Sequence, residues 1–589
     1  MPFQVSPGVN VSEFDLTTIV PAVATTRAGI SFPTEWGPAN EAVLIDTPKT
    51  FREIFGDLKQ WNAANYMTAL NFLGYSQGLL MVRAMSNNSS NTQNANTGEA
   101  SGDNAYAPTD AVDLTSKVAA GFMAKYAGEK GDSLAVSVAR NGATAADWAY
   151  YSSFARQPLH TDNILTLGGL TQSFDQVHVA VIDEDGLFTG TKGEVLERFE
   201  NVSLHPRARR ADGTSLYIKN VLNNESQYIK VTGSLDSYDL DNDGFAEVFG
   251  SAGLSAGGVL NTNWETTYAF TFTGGAEAVT VPLSGGTGQD YTNNRTDPDI
   301  LIGYGVLADA EKIDVNLLLG GDLETSTDVG NLKTIAETRK DCIAFVSCPV
   351  GKGASGVNSS DSVKADACIA FKDTVGSSSY VVIDSGYRKQ FDPFNQVNRW
   401  VPLNGDTAGL CARTEFTNDA WWSPAGYNRG LLRNSGALAF SPNKTFRDRI
   451  YPKGINPIIT ERETGTLLLG DKTALSKPSA FDRINVRRLF IVLEKAISTA
   501  SKYSLFEFND AFTRARFISL ISPYLEDVKS RRGLIDYKVV CDETNNTPER
   551  IDRNELWADI YIKPNRSINY VQLNFIATRT GANFNEIGA

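Results

Sequence analysis

Pro478-Ser479-Ala480 breaks the chain, and Ile484-Asn485-Val486-Arg487-Arg488-Leu489-Phe490-Ile491-Val492-Leu493-Glu494-Lys495-Ala496-Ile497 follows it. Val486, Phe490, Leu493, Ile497 and Ala500 recur at alternating spacings of four and three, which predicts a helix with those residues on one face. Arg487, Arg488, Glu494 and Lys495 fall away from that seam. Beyond the helix come Phe506-Glu507-Phe508-Asn509-Asp510, then Pro523 to Val528, then the glycine-containing Arg531-Arg532-Gly533-Leu534. Cys541 to Asn546 follows, and the chain alternates like a strand from Leu556 to Ala577.

A chain of 589 residues is too long for one core, so three or four domains are expected. The 42% hydrophobic content is that of a globular protein, and no apolar run nears the roughly 18–20 residues that cross a bilayer. Met1-Pro2-Phe3-Gln4 has neither the basic nor the apolar segment of a signal peptide, so folding in a cytoplasm is expected. Cys342, Cys348, Cys368, Cys411 and Cys541 contain no Cys-x-x-Cys pair and read as buried free thiols. With only His160, His178 and His205 besides, no zinc site is expected.

The net charge of −14 argues against a nucleic-acid binder. Residues 441–589 nevertheless hold 23 Lys and Arg against 18 Asp and Glu, a net of +5, leaving −19 elsewhere. A basic C-terminal region on an acidic protein suggests an acidic partner surface.

Texture along the chain predicts an α+β multidomain protein. An α/β core is built from both chain ends, a mostly β region is inserted into it, and extended arms lie at both termini. Residues 1–21 form the N-terminal arm, in which Val9, Val11 and Glu13 alternate with Asn10, Ser12 and Phe14. Residues 22–85 are the first part of the core, with helices after Pro48 and over Tyr66–Leu73 and a buried strand over Gly78–Ala84. Residues 86–107, rich in Asn, Ser and Gly, read as a flexible linker. Residues 108–330 form the protruding β insertion, in two subdomains, with strands at Val177–Ile182 and Ala269–Thr273. Residues 331–420 return to the core, and 421–589 form a C-terminal domain ending in a strand arm.

Three motifs invite chemistry. Gly74-Tyr75-Ser76-Gln77-Gly78 fits the Gly-x-Ser-x-Gly of hydrolases, but that elbow needs a strand before the serine and a helix after it, and here the order is reversed. A glycine stop at a helix end explains it better. Asp239-Leu240-Asp241-Asn242-Asp243-Gly244 copies half of a calcium loop, yet Gly250 stands where the bidentate glutamate belongs, so a hydrated turn is the expectation. Ser284-Gly285-Gly286-Thr287-Gly288 lacks the Gly-Lys-Ser/Thr of a phosphate loop. No enzyme activity, cofactor or metal is expected. A serine hydrolase using Ser76 is the distant alternative, and a calcium-stabilised adhesin is disfavoured by the missing signal peptide.

The order of motifs from Arg487-Arg488 through Phe506–Asp510, Arg531–Leu534 and Cys541–Asn546 to the terminal strands resembles the C-terminal domain of contractile tail sheath proteins of large tailed phages. Ser6-Pro7-Gly8-Val9-Asn10-Val11-Ser12-Glu13-Phe14 is similar to the opening arm of that family, and Val177 to Gly186 to its middle. The resemblance implies a virion structural subunit, assembled in the host cytoplasm, that forms hexameric rings stacked helically around a tail tube and contracts to drive the tube through a cell envelope. It implies partners in further copies of itself, the tube protein, and baseplate and tail terminator proteins, with no nucleic-acid contact and no membrane insertion. A sheath of a phage-derived injection system, bacteriocin or secretion type, is the alternative within the class. Interface candidates are Val9, Val11 and Phe14 in one arm, Val571, Leu573 and Phe575 in the other, and Arg487 with Arg488 on the helix.

Overall fold

A computed structural model describes residues 25–84, 91–94, 122–139, 148–159, 161–162, 175–204, 207–231, 267–273, 297–350, 359–433, 436–569 and 572. The first lobe runs β1 (Ala28–Phe32), β2 (Ala42–Ile45), α1 (Pro48–Phe55), α2 (Ala63–Leu73) and β3 (Leu79–Arg83). Helix α1 starts where the Thr47 hydroxyl accepts the Thr50 N–H and Pro48 presets the first turn, and it ends at Gly56 with φ 81°. The described residues of the insertion include β4 (Asn91–Asn94), β5 (Phe122–Ala127), β6 (Leu134–Ala139), β7 (Gln176–Asp183), β8 (Glu194–Ser203), α3 (Ile218–Glu225), β9 (Ile229–Val231) and β10 (Thr267–Thr273). The second lobe holds α4 (Asp297–Leu307), β11 (Leu317–Leu319), α5 (Ser326–Arg339), β12 (Ile343–Ser347), α6 (Asp361–Val375) and β13 (Val381–Asp384). It continues with β14 (Tyr387–Asp392), β15 (Val397–Pro402), α7 (Asn404–Thr417), α8 (Lys444–Ile450), β16 (Ile455–Asn456), β17 (Ile458–Glu461) and β18 (Gly465–Leu468). The C-terminal region comprises α9 (Ile484–Ser501), α10 (Ala511–Ser530), β19 (Leu534–Val540), α11 (Pro548–Asp552) and β20 (Asp559–Pro564).

The two lobes build one seven-stranded sheet, ordered β16-β13-β12-β11-β1-β3-β2. All its pairs are parallel except β2 with β3. Its central strands are buried on both faces, as parallel strands between helices must be. Alternation sorts their side chains into two layers. Ile30, Met81, Leu319 and Phe345 meet α2 and α7 on one side, and Val82, Leu318, Ala344 and Val346 meet α4, α5 and α6 on the other. Helix α4 lies so close to β1 that a Cβ on Gly303 would collide with Ser31.

The insertion is a second seven-stranded sheet, β8-β7-β6-β10-β4-β5-β9, antiparallel throughout. Its core of Val136, Val138, Val177, Val179 and Phe199 also receives Trp36 from the first lobe, edge-on to Tyr126 and Phe188.

Three boundaries differ from the sequence reading. Residues 91–94, expected in a linker, form a strand of the second sheet, because their partners β5 and β10 are distant in sequence. The chain re-enters the first sheet at β11, ahead of residue 330. The core also runs past residue 420, since β16 pairs with β13. The arm residues Val9, Val11 and Phe14, the motifs at Asp239–Asp243 and Ser284–Gly288, and Val571, Leu573 and Phe575 lie outside the described residues.

Candidate assembly interface

Helix α9 joins two hydrophobic cores. Ile484 and Ile491 belong to the core beneath the large sheet, while Leu489, Val492 and Leu493 pack with Phe517, Ile521, Leu525 and Val528 of α10. The apolar residues of α10 repeat at three and four, so one face is buried, and its start is capped by Asp510 accepting the Thr513 N–H at 2.7 Å.

Because both sides of α9 are covered, Arg487 and Arg488 do not reach solvent, which corrects the reading that they fall toward a partner surface. Both are buried, at 6% and 2% exposure. The Arg487 guanidinium lies over Tyr380 and Phe481, 4.2 and 4.0 Å from the ring centroids, and donates to Ser379 Oγ at 2.7 Å. Burial lowers its pKa. Arg488 donates to the Cys411 carbonyl at 2.8 Å and pairs with Glu415. Glu415 in turn accepts the Thr25 N–H at 2.7 Å and its hydroxyl at 2.6 Å. The arginines thus clamp the C-terminal helix to the core, and one carboxylate holds both that helix and the root of the N-terminal arm.

The root of the other arm is held by a second carboxylate, Asp471, which is buried. Ser567 Oγ donates to Asp471 Oδ2 at 2.6 Å, and Arg483 pairs with Asp471 at 2.7 Å. Burial alone would raise the Asp471 pKa, but the hydrogen bonds from Ser567 and Arg483 pull it below the usual range. Neither Glu415 nor Asp471 stands out in the sequence, since Glu415 meets Arg488 from 73 residues away and Asp471 meets Ser567 from 96.

Two features face outward. Between α9 and α10, Tyr503, Leu505, Phe506 and Phe508 are exposed, Phe506 completely and Phe508 at 85%, and Phe512 in the first turn of α10 is exposed with them. Phe506 also has φ 68°, an unfavourable conformation for a bulky residue. Apolar exposure on this scale marks a contact surface. Beside it, β19 and β20 pair with Tyr537 opposite Ile562 and Val539 opposite Ile560, these four packing inward against the α10 core. Asn546 locks the hairpin, donating to the Trp557 carbonyl and accepting its N–H, each at 2.8 Å, which gives the Asn545-Asn546 pair its structural reason. Among the described residues these two strands pair only with each other, so both edges are open.

The Ser76 motif is helix, turn, strand: α2 ends at Gly74, and the Ser76 hydroxyl donates to the Gln77 carbonyl at 3.2 Å. His178 sits far away in the insertion, stacked on Phe154. All five cysteines are free and buried, and burial raises the Cys342 thiol to about 12.

Residues 476–578 match the phage tail sheath C-terminal domain, the stretch that contains α9, α10 and the β19–β20 sheet. Over 99% of both chains, the protein is 32% identical to the tail sheath protein of Vibrio phage KVP40 and 31% identical to that of Enterobacteria phage T4. It is also 33% identical to the tail sheath protein of Salmonella phage ViI, over 68% of this chain and 55% of that one.

Proposed function

The chain belongs to the tail sheath proteins of phages, and on that premise we propose how its parts build and work a contractile sheath. Identical copies joined through heterologous contacts close into six-fold rings that stack helically around the tail tube. Each copy donates residues 5–16 and 568–577 as strands, through Val9, Val11 and Phe14 at one end and Val571, Leu573 and Phe575 at the other. The acceptor is the β19–β20 sheet of a neighbour. Main-chain hydrogen bonds carry such a joint, so it survives while subunits slide. The extended and contracted sheaths are then two packings of the same domains, with the energy for shortening stored at assembly. With Arg487 and Arg488 turned inward, contact with an acidic tube falls to exposed cations of the same region, Arg516, Lys538 and Lys563. The first and last rings, with unfilled donors or acceptors, meet the baseplate and terminator.

The observation that carries this reading is the β19–β20 pair, whose outer edges bond to no other strand among the described residues. Deleting residues 2–19 tests it. The truncated subunit should stay folded and soluble, fail to form long sheaths in electron micrographs, and cap the polymers of intact protein. Full-length sheaths from the truncated chain would end the strand-donation mechanism.

A further inference from the structure

An open groove of about 900 Å3 lies between Trp421, Trp422 and the root of the C-terminal arm. Trp422 is flanked by two guanidiniums, Arg429 at 5.0 Å and Arg532 at 5.4 Å from the ring centroid. Arg447 and Arg566 also line it. Among the described residues none of these four arginines is ion-paired, and the lining offers two acids, Asp448 and Asp471. Asp471 is already matched by Arg483. Aromatic faces beside unmatched guanidiniums suit an acidic peptide that carries an aromatic side chain.

The chain contains one close to hand. Residues 1–24 carry two carboxylates, Glu13 and Asp15, on either side of Phe14, and no lysine or arginine. Their root is fixed at Glu415 by the two hydrogen bonds from Thr25. Trp422 is seven residues beyond Glu415, so the two lie no more than about 25 Å apart, whereas the ten residues from Asp15 to Thr25 span about 33–36 Å when extended. The groove is within reach.

We propose that in the unassembled subunit the Glu13-Phe14-Asp15 segment docks in this groove of its own chain, which withholds the arm from neighbours until a growing ring offers an acceptor sheet. Intramolecular docking works at an effective concentration on the order of millimolar, so a weak contact suffices to hold the segment. This inference rests on the arm-donation reading, and it adds a brake to it. The test follows polymerisation of the full chain by light scattering and electron microscopy. Arg447→Glu with Arg532→Glu should free the arm and shorten the lag severalfold, and adding Glu13→Arg with Asp15→Arg should restore the slow start. Glu13→Gln with Asp15→Gln, confined to the arm and harmless to the fold, should also shorten the lag. An unchanged lag in the Gln variant overturns the proposal. A longer lag also overturns it, because the groove would then serve a neighbour's arm. The residue 2–19 deletion separates the two ideas: if it still forms long sheaths, arm donation itself has failed.

Discussion

Asp384 ends β13 fully buried, where its carboxyl accepts hydrogen bonds from Ser347 Oγ at 2.8 Å and the Gly386 N–H at 2.9 Å. Burial pushes its pKa up to about 8, despite those two bonds and with help from the nearby Asp406 carboxylate. The folded state therefore holds this proton more tightly than the unfolded chain does. The stability it contributes is fully present below about pH 4 and is lost as pH rises toward 8. Asp384→Asn keeps the shape and removes the titration. Urea unfolding at several pH values should show that downward slope flattened, with a gain on the order of a few kcal/mol at the alkaline end. Glu415→Ala should do the opposite, costing about 3–5 kcal/mol in the same assay by leaving Arg488 buried without its countercharge. The arginine pair was legible in the sequence, but its direction was not. Periodicity placed both residues off one apolar seam, and nothing local revealed that a second core covers the other side of the helix.

The turn between α9 and α10 is the clearest case at the scale of elements. Phe506 and Phe508 are part of a legible motif, yet only the fold shows that they point outward. Phe506→Ser with Phe508→Ser should leave the monomer's unfolding free energy within about 0.5 kcal/mol, as exposed positions do. Sedimentation should nonetheless show a marked loss of assembled polymer. Helices and strands with their own start and stop signals were readable: Thr47-Pro48 opens α1, Gly74 closes α2, and valine alternation marks β7. The strand at Asn91–Asn94 was not, because asparagine and glutamine carry no strand signal and its pairing is entirely non-local.

Across the whole molecule, the large sheet draws β1, β2 and β3 from one lobe and β11, β12, β13 and β16 from beyond the insertion, so the insertion is a loop hung from a core that closes without it. Replacing residues 86–296 by a short polar linker, with Trp36→Ser to remove the side chain left bare, should yield a soluble protein that still unfolds cooperatively by circular dichroism. Composition and texture had shown an interrupted core, whereas the borders of the interruption depended on pairing across hundreds of residues. Strand β1 begins three residues after the arm's root at Thr25 and lies in the middle of the sheet, bonded to β11 on one side and β3 on the other. Tension on the arm is therefore taken along the axis of a strand anchored on both flanks, and its hydrogen bonds are loaded together in shear instead of being unzipped one by one. A cable under sudden pull is best spliced into the centre of a plate, and this chain fastens its tether there.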